Sequence, residues 1–236
     1  DALGAENVRC VMMPTDFTSQ DSLDDAKECA DALGVSYEVI AIKDALATFE
    51  NLIPNLEGLA HENIQSRIRG LIIMALSNQS GLMMLSTGNK SEMAVGYATL
   101  YGDMNGGYNA LKDVYKTQVY ALAKWRNAKS HVIPERIITK VPTAELRDNQ
   151  TDQDSLPEYE VLDDILECLI EHEMSVKDII AKGHDEDTVQ KVWRMLDRAE
   201  YKRRQAPPGV KITTRSFGRD RRYPMTNKFE TAKFGK

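Results

Sequence analysis

The sequence has few cysteines and histidines and no long hydrophobic run. Its three cysteines, Cys10, Cys29 and Cys168, are odd in number and far apart, which is typical of free thiols in a reducing compartment. The four histidines lack the spacing of zinc ligands, so we expect no zinc site. No stretch approaches the roughly 18 apolar residues of a membrane-spanning helix. We therefore expect a cytoplasmic protein without a membrane partner.

The charge is distributed unevenly along the chain. Of the 30 Lys and Arg residues, 14 lie in residues 191–236, whereas only 4 of the 36 Asp and Glu residues lie there. A basic tail on an acidic body is typical of proteins that bind a polyanion, a nucleic acid or an acidic neighbouring surface. A tail that docks on the acidic body of its own chain is an equally good interpretation.

The first half of the sequence alternates apolar runs with helical patterns. The apolar runs predict strands at 8–13, 35–42 and 82–86. The helical patterns predict helices at 19–34, 61–80 and 91–102. This alternation predicts an α/β fold with a doubly wound, mostly parallel sheet, in which ligands bind beyond the carboxyl ends of the strands.

The second half has a different texture. A helix is predicted over 111–128, with a core face made of Val114, Val119, Leu122 and Trp125. Residues 135–159 are polar and irregular, and a segment of that length is either a functional lid or disordered. Further helices are predicted at 158–172, 175–182 and 185–204. We expect one domain over 1–205 and a basic, extended arm over 206–236.

The segment TGNKSE follows the third predicted strand. Thr87, Gly88 and Asn89 put small residues and backbone N–H groups at a strand-to-helix turn, a place that favours anions. Lys90 would add a positive charge, and Glu92 either caps the helix or holds Mg²⁺ shared with phosphates. The segment is not a Walker loop, so a capped helix start without a ligand stays an alternative. Other polar clusters at the same predicted rim favour a phosphate site.

Four longer stretches carry a family resemblance. They are STGNKSEMAVGYATLYGDMNGGYNALKDVYKT, KVPTAELRDNQTDQDSLPEYEVLDD, YKRRQAPPGVKI and RSFGRDRRYP. Together they closely resemble the synthetase domain of NAD synthetases, especially the glutamine-dependent bacterial kind, over essentially the whole chain. This resemblance implies an ATP pyrophosphatase with an adenine nucleotide alpha-hydrolase-like fold. In the family's reaction, the carboxylate of deamido-NAD attacks the α-phosphate of ATP, and ammonia then displaces AMP to give NAD.

The resemblance also implies roles for individual residues. For ATP it implies Met13, Gln20, Thr87 and Lys116. For Mg²⁺ and phosphate it implies Glu92 and Thr143, and Thr143 and Lys116 would act in catalysis. For deamido-NAD it implies Asn63, Arg67, Asp103 and, from the neighbouring subunit, Lys202. Asp148 and Asp154 are candidate acids of a loop that orders over the site.

Two parts of such an enzyme are not found in the sequence. One is the family's phosphate loop, Ser-Gly-Gly-x-Asp-Ser, and the other is the glutaminase domain expected upstream in glutamine-dependent members. We therefore expect this polypeptide to be part of a longer protein and to be inactive alone. The resemblance implies a homodimer or higher homo-oligomer, with ammonia taken from solution or from glutamine.

Three other functions stay open. The first is another amidating ATP pyrophosphatase, such as one similar to GMP synthetase. The second is a basic nucleic-acid-binding module, although few aromatic residues in the tail are placed to stack on bases, so we expect no nucleic acid as partner. The third is a non-catalytic remnant that keeps a dimer surface.

Overall fold

The computed structural model describes residues 1–226, which form two compact units. The first unit comprises Asp1–Leu82 and Tyr120–Ser155, and the second comprises Met83–Val119 and the described residues from Leu156 onward. Within residues 1–226, no helix is long and apolar enough to cross a membrane.

The first unit contains a strand–helix–strand motif, as the sequence predicted. Strand β1 (Arg9–Met12) pairs in parallel with β2 (Ser36–Val39). Helix α1 (Gln20–Leu33) connects them and begins after Ser19. The Ser19 side chain accepts a hydrogen bond from the Ser22 N–H, three residues later. It ends at Gly34, whose φ of 67° is the left-handed conformation that glycine adopts at little cost. Local capping therefore fixes both ends of α1.

Two further helices form the small apolar core of the first unit. Helices α2 (Lys43–Leu52) and α3 (Gly58–Ser80) bury an apolar cluster centred on Ile42, Leu46 and Ile68. The helical spacing of Ile64, Ile68, Leu71, Ile72, Ala75 and Leu76 predicts an apolar stripe along α3, and this prediction is correct at the buried Ile68. Leu71 of the same stripe is 66% exposed, so this part of the prediction is wrong. Apolar spacing alone does not reveal how much of a helical stripe is covered.

Helix α4 in the second unit is shorter than predicted. Strand β3 (Leu85–Ser86) pairs in parallel with β4 (Tyr108–Asn109), and α4 (Lys90–Val95) follows β3. The helix ends at Gly96 because this residue has a φ of 74°, and a Cβ there would lie 2.8 Å from Ala199 Cβ. The prediction of a helix through residue 102 is therefore wrong beyond Val95.

Helix α5 (Lys116–Lys129) joins the two units in sequence. The core face predicted for this helix is only partly buried. Of its predicted core face, Val114 is buried but precedes the helix, and Val119 is half-buried. Leu122 and Trp125 are 48% and 57% exposed. Lys129 Nζ lies 3.7 Å from the centroid of the Trp125 ring, so a cation–π contact partly covers this exposed face.

The segment predicted as irregular contains short ordered pieces. They are α6 (Glu135–Thr139) and a single 3₁₀ turn at Asp152–Asp154. The main core lies in the second unit, where α4 packs against α7 (Tyr159–Ile170), α9 (Glu186–Arg198) and α10 (Glu200–Arg203). Helix α8 (Val176–Ala181) packs against α7 and α9. The fully buried apolar residues of this core include Leu162, Ile165, Leu166, Ile170, Ile179, Val189, Val192 and Leu196.

After α10, the described chain up to residue 226 crosses the second unit without forming a helix. This part contains an isolated bridge between Phe217 and Arg221, and Phe217 is buried in the main core. The division into a domain over 1–205 and an arm over 206–236 stays a prediction. Residues 227–236 of that arm lie outside the described residues.

Candidate functional site

The turn between β3 and α4, which we call the 87–92 turn, has a fixed backbone. Asn89 Oδ1 accepts from the Glu92 N–H at 3.0 Å, and Glu92 Oε2 accepts from the Asn89 N–H at 3.1 Å. This reciprocal capping box satisfies two backbone donors at the start of α4. Thr87 lies exposed just before it. The turn is thus preformed, with a hydroxyl available to solvent.

Lys116 reaches the same turn from the start of α5. Its Nζ lies 3.3 Å from Glu92 Oε1 and 5.2 Å from the centroid of the Tyr159 ring. Its backbone N–H donates to Ser91 Oγ at 2.9 Å. Thr87, Glu92 and Lys116 therefore surround one turn, although their roles stay predictions.

Asp163 of α7 holds this arrangement in place and was missed in the sequence. It accepts hydrogen bonds from the Ser91 hydroxyl and from Thr117, whose N–H and hydroxyl donate at 2.9 and 2.8 Å. It thereby ties the start of α4 to the start of α5. Burial raises the pKa of Asp163, against the effect of these bonds. The sequence signal that could have identified Asp163 is the position of this acid on the apolar face of the helical segment YEVLDDILECLI.

Glu92 is the residue of the second unit that fits a metal-binding role. Burial raises the pKa of its carboxyl, while Lys116 and the Asn89 hydrogen bonds act in the opposite direction. Within the described residues, no three His, Cys, Asp or Glu side chains gather closely enough to hold a metal by themselves. Mg²⁺ is commonly held by one or two carboxylates together with substrate phosphates. The single carboxylate of Glu92 at the 87–92 turn matches the protein's part of that pattern.

Lys90 does not play the part that the sequence suggested. Its side chain is completely buried, and Nζ lies 2.8 Å from Asp113 and 2.6 Å from Glu171. The expectation that it offers charge to an anion at the turn is wrong. Its ammonium group is neutralised by these two acids inside the second unit.

The other candidate residues of the second unit have local partners. Asp103 is exposed, and its Oδ1 accepts from the Thr99 N–H at 2.7 Å. Lys202 Nζ donates to the carbonyls of Gly96 and Ala98 at 2.7 and 2.6 Å. The predicted contact of Lys202 with a ligand of a neighbouring subunit stays a prediction.

In the first unit, candidate residues follow β1 and lie on α3. The Met13 carbonyl accepts from Arg69 Nε at 2.8 Å, and Gln20 is exposed and donates to Asp24 at 2.8 Å. Asn63 and Arg67 are half-buried and four residues apart on α3, so they share one face. Nothing in the residue pattern pointed to Arg69, whose pKa is lowered by burial.

The predicted loop is held to the first unit through Glu145. Its Oε1 accepts from the hydroxyls of Ser19 and Ser22 and from Lys140 Nζ, each at 2.8 Å. Burial opposes ionisation, but these hydrogen bonds outweigh it and hold the pKa of Glu145 below its ordinary value. Thr143 Oγ1 accepts from the Glu145 N–H at 3.2 Å. Thr143 is thus part of an ordered anchor.

The remaining loop residues have different environments. Asp148 is exposed. Asp154 accepts from Thr151 and from Arg147, and these hydrogen bonds lower its pKa. The Leu146 carbonyl accepts from Gln65 Nε2 of α3 at 2.8 Å. In this structure Asp154 therefore stabilises the loop itself.

Comparison with known proteins identifies relatives. A profile of the NAD synthase family matches residues 1–206. A glutamine-dependent NAD(+) synthetase of Rhodobacter capsulatus is 53% identical, over 97% of this chain and 44% of the relative. The structure of a glutamine-dependent NAD+ synthetase from Acinetobacter baumannii in complex with ADP is 49% identical, with a TM-score of 0.58, over 95% of this chain and 41% of the relative.

A shorter relative is covered more fully. The NH3-dependent NAD synthetase of Campylobacter jejuni is 28% identical with a TM-score of 0.64, over 81% of this chain and 72% of that one. The chain thus spans less than half the length of its glutamine-dependent relatives. These structures and the two parallel strand pairs confirm the predicted α/β fold. The chain belongs to the NAD synthase family.

Proposed function

We propose that the chain is the synthetase part of a glutamine-dependent NAD synthetase, which uses ATP to convert deamido-NAD into NAD. The observation that carries the proposal is the 3.3 Å approach of Lys116 to Glu92 at the preformed 87–92 turn. The match to the NAD synthase family over residues 1–206 supports it. So do relatives that are named glutamine-dependent NAD(+) synthetases.

The chemistry needs positioned charge rather than a protein nucleophile. The deamido-NAD carboxylate forms a bond to the α-phosphorus of ATP, and the bond to pyrophosphate breaks. Ammonia then attacks the acyl carbon of the adenylate, and AMP leaves with the bonding electrons. Such steps are accelerated by orientation and by positive charge on phosphate oxygens. Lys116 supplies that charge, and Thr87 donates a hydrogen bond to a phosphate oxygen. Asp163 holds the start of α4 and the start of α5 together.

Glu92 is the residue that we propose for Mg²⁺, whose chemistry would be to neutralise charge on the phosphates. Thr143 is proposed as a phosphate contact, and Met13 and Gln20 as contacts of the adenine. These last assignments rest on the family resemblance. The loop acids Asp148 and Asp154 are proposed to act when that loop covers its ligand.

For deamido-NAD we propose contacts with Asn63, Arg67 and Asp103, and with Lys202 from the neighbouring subunit of a homodimer. Glutamine is proposed as the source of ammonia because relatives that are about half identical to this chain over the matched residues are named glutamine-dependent. The glutamine-hydrolysing part would lie outside the residues described above.

The test is ammonia-driven conversion of deamido-NAD by the longest natural protein that contains this chain. With ATP and Mg²⁺ present, we expect NAD and pyrophosphate in equal amounts. Xanthosine monophosphate, the substrate of a GMP-synthetase-like enzyme, should give no amidated product. Amidation of that nucleotide instead of deamido-NAD would contradict the proposal.

A further inference from the structure

Residues 207–217, which we call the strap, lie directly against the residues that support the 87–92 turn. The Pro208 carbonyl accepts from the Asn109 N–H at 2.8 Å, and the Pro207 carbonyl accepts from Lys112 Nζ at 2.6 Å. A Cβ at Gly209 would lie only 2.4 Å from the Asn109 carbonyl oxygen. The strap begins where the family match at residues 1–206 ends.

A buried polar cluster fixes the middle of the strap. Asp113 Oδ2 accepts from the Ile212 N–H at 2.8 Å and from the Thr213 N–H at 2.7 Å. The Thr213 hydroxyl also contacts Asp113, and it accepts from Lys90 Nζ at 2.6 Å. Lys90 and Asp113 are almost completely buried, and the Thr213 hydroxyl is the strap group that contacts both of their side chains.

Glu171 extends this cluster along the strap. It accepts from Lys90 Nζ at 2.6 Å, from the Arg215 N–H at 2.9 Å and from the Thr214 hydroxyl. Lys90 Nζ also donates to the Arg215 carbonyl at 2.9 Å. The strap, which is part of the basic tail, therefore docks on acids of its own unit, as one interpretation of the charge asymmetry predicted.

The same residues connect the strap to the turn by two routes. In the first, the Asn109 backbone bonds the strap while its side-chain amide donates to the Gly88 carbonyl at 2.8 Å. In the second, Lys90 is the residue after the Asn89 cap, and its N–H donates to the Val114 carbonyl at 2.8 Å. Both routes end on the backbone that displays Thr87 and Glu92.

We infer that the strap positions the 87–92 turn for its phosphate ligand, with Thr213 and Asn109 as positioning residues. The identity of that ligand as ATP rests on the proposed function. Without the Thr213 hydroxyl, Lys90 and Asp113 would lose a shared partner inside the unit, and the start of α4 would gain freedom. A looser turn loses the preorganisation that favours anion binding.

The experiment compares Thr213→Val, which removes the hydroxyl at nearly constant volume, with Thr213→Ser, which keeps it. Both are made in the longest natural protein containing this chain. Hydrogen exchange is measured at the amides of Asn89, Lys90 and Glu92, which are all hydrogen-bonded. Affinities for ATP and for deamido-NAD are measured by calorimetry. Lys112→Met, which removes an anchor outside the buried cluster, is the milder second variant.

We expect Thr213→Val to speed exchange at these amides and to weaken ATP binding roughly tenfold, the effect of losing about one hydrogen bond. Binding of deamido-NAD should change far less, and Thr213→Ser should restore ATP binding. Unchanged exchange at these amides in Thr213→Val would overturn the inference, even if the melting temperature fell. If Thr213→Val exchanges faster but the wild-type protein binds no ATP, the positioning role of the strap is supported and ATP is refuted as the ligand of the turn.

Discussion

Lys116 Nζ lies 3.3 Å from Glu92 Oε1, and each side chain retains about a fifth of its exposure. The pair is therefore more shielded from solvent than an ordinary surface ion pair. The arrangement also places a cation and an acid beside one capped turn. Removing the Lys116 ammonium group should therefore weaken phosphate binding while it leaves the fold intact.

The first prediction concerns Lys116→Met. Because the variant loses positive charge at the 87–92 turn but keeps the aliphatic stem, kcat/KM for ATP should fall about 10²-fold. Steady-state kinetics of ATP-dependent NAD formation by the longest natural protein measures it. The control is Lys124→Met, on an exposed position of the same helix. Equal kcat/KM values in the two variants would remove Lys116 from the proposed site.

The second prediction concerns Lys90→Met. This change leaves the buried acids Asp113 and Glu171 without their cation, and breaking a buried pair from one side costs about 3–5 kcal/mol. Urea unfolding at pH 7 gives the free energy of unfolding. The matched control is Lys27→Met, which breaks an exposed i,i+4 pair with Asp31 and should cost about 0.3–0.5 kcal/mol. Similar costs for the two changes would contradict the assigned burial.

These two lysines show what local sequence predicts and what it leaves out. Asn89, Glu92 and the end of α4 at Gly96 follow from residues a few positions apart, so the capped turn was within reach of the sequence. The partners of Lys90 at Asp113 and Glu171 are distant in the chain, and packing alone brings them together. The residue pattern pointed to Lys90 as the cation of the turn, whereas only the family resemblance selected Lys116.

The exposed face of α5 illustrates the same limit. Leu122 and Trp125 have helical spacing with Val119, which is why they were predicted to form a core face. Spacing establishes that residues share a face, but it does not establish that another element covers it. In the described structure both residues are exposed. Conversely, Asp163 lies buried on an apolar face because polar groups of α4 and α5 meet it there.

The third prediction is a pH dependence through Glu171. Burial by itself would raise its pKa, but hydrogen bonds from Lys90 and Thr214 outweigh burial and hold the pKa below the ordinary value of 4.5. The unfolded chain therefore binds the proton more readily, so stability falls with decreasing pH. The contribution of Glu171 is complete above the ordinary pKa and is lost as the pH falls through the folded value.

Glu171→Gln measures this contribution. The variant should be less stable than wild type at pH 7, and the difference in the free energy of unfolding should shrink as the pH is lowered below about 4.5. Urea unfolding at several pH values between 7 and 3.5 provides the comparison. Glu186→Gln, at an exposed position on α9, is a control with the same chemical change. A constant difference across this range would contradict the lowered pKa.

The fourth prediction concerns the anchor of the loop at Glu145. This residue has a φ of 49°, a conformation that costs a non-glycine residue free energy, and three hydrogen bonds to its carboxylate hold it there. Glu145→Gln replaces the charged acceptor by a weaker, neutral one. The loop should then open more often, and trypsin should cleave after the exposed Arg147 several times faster.

The matched control for the loop is Glu135→Gln, an exposed acid on α6 of the same unit. Time courses of cleavage after Arg147 are followed by mass spectrometry under native conditions, together with the free energy of unfolding of each variant. Faster cleavage at unchanged global stability assigns the effect to local opening of the loop, because global unfolding would expose all tryptic sites together. Equal cleavage rates in the two variants would show that the anchor does not control the loop.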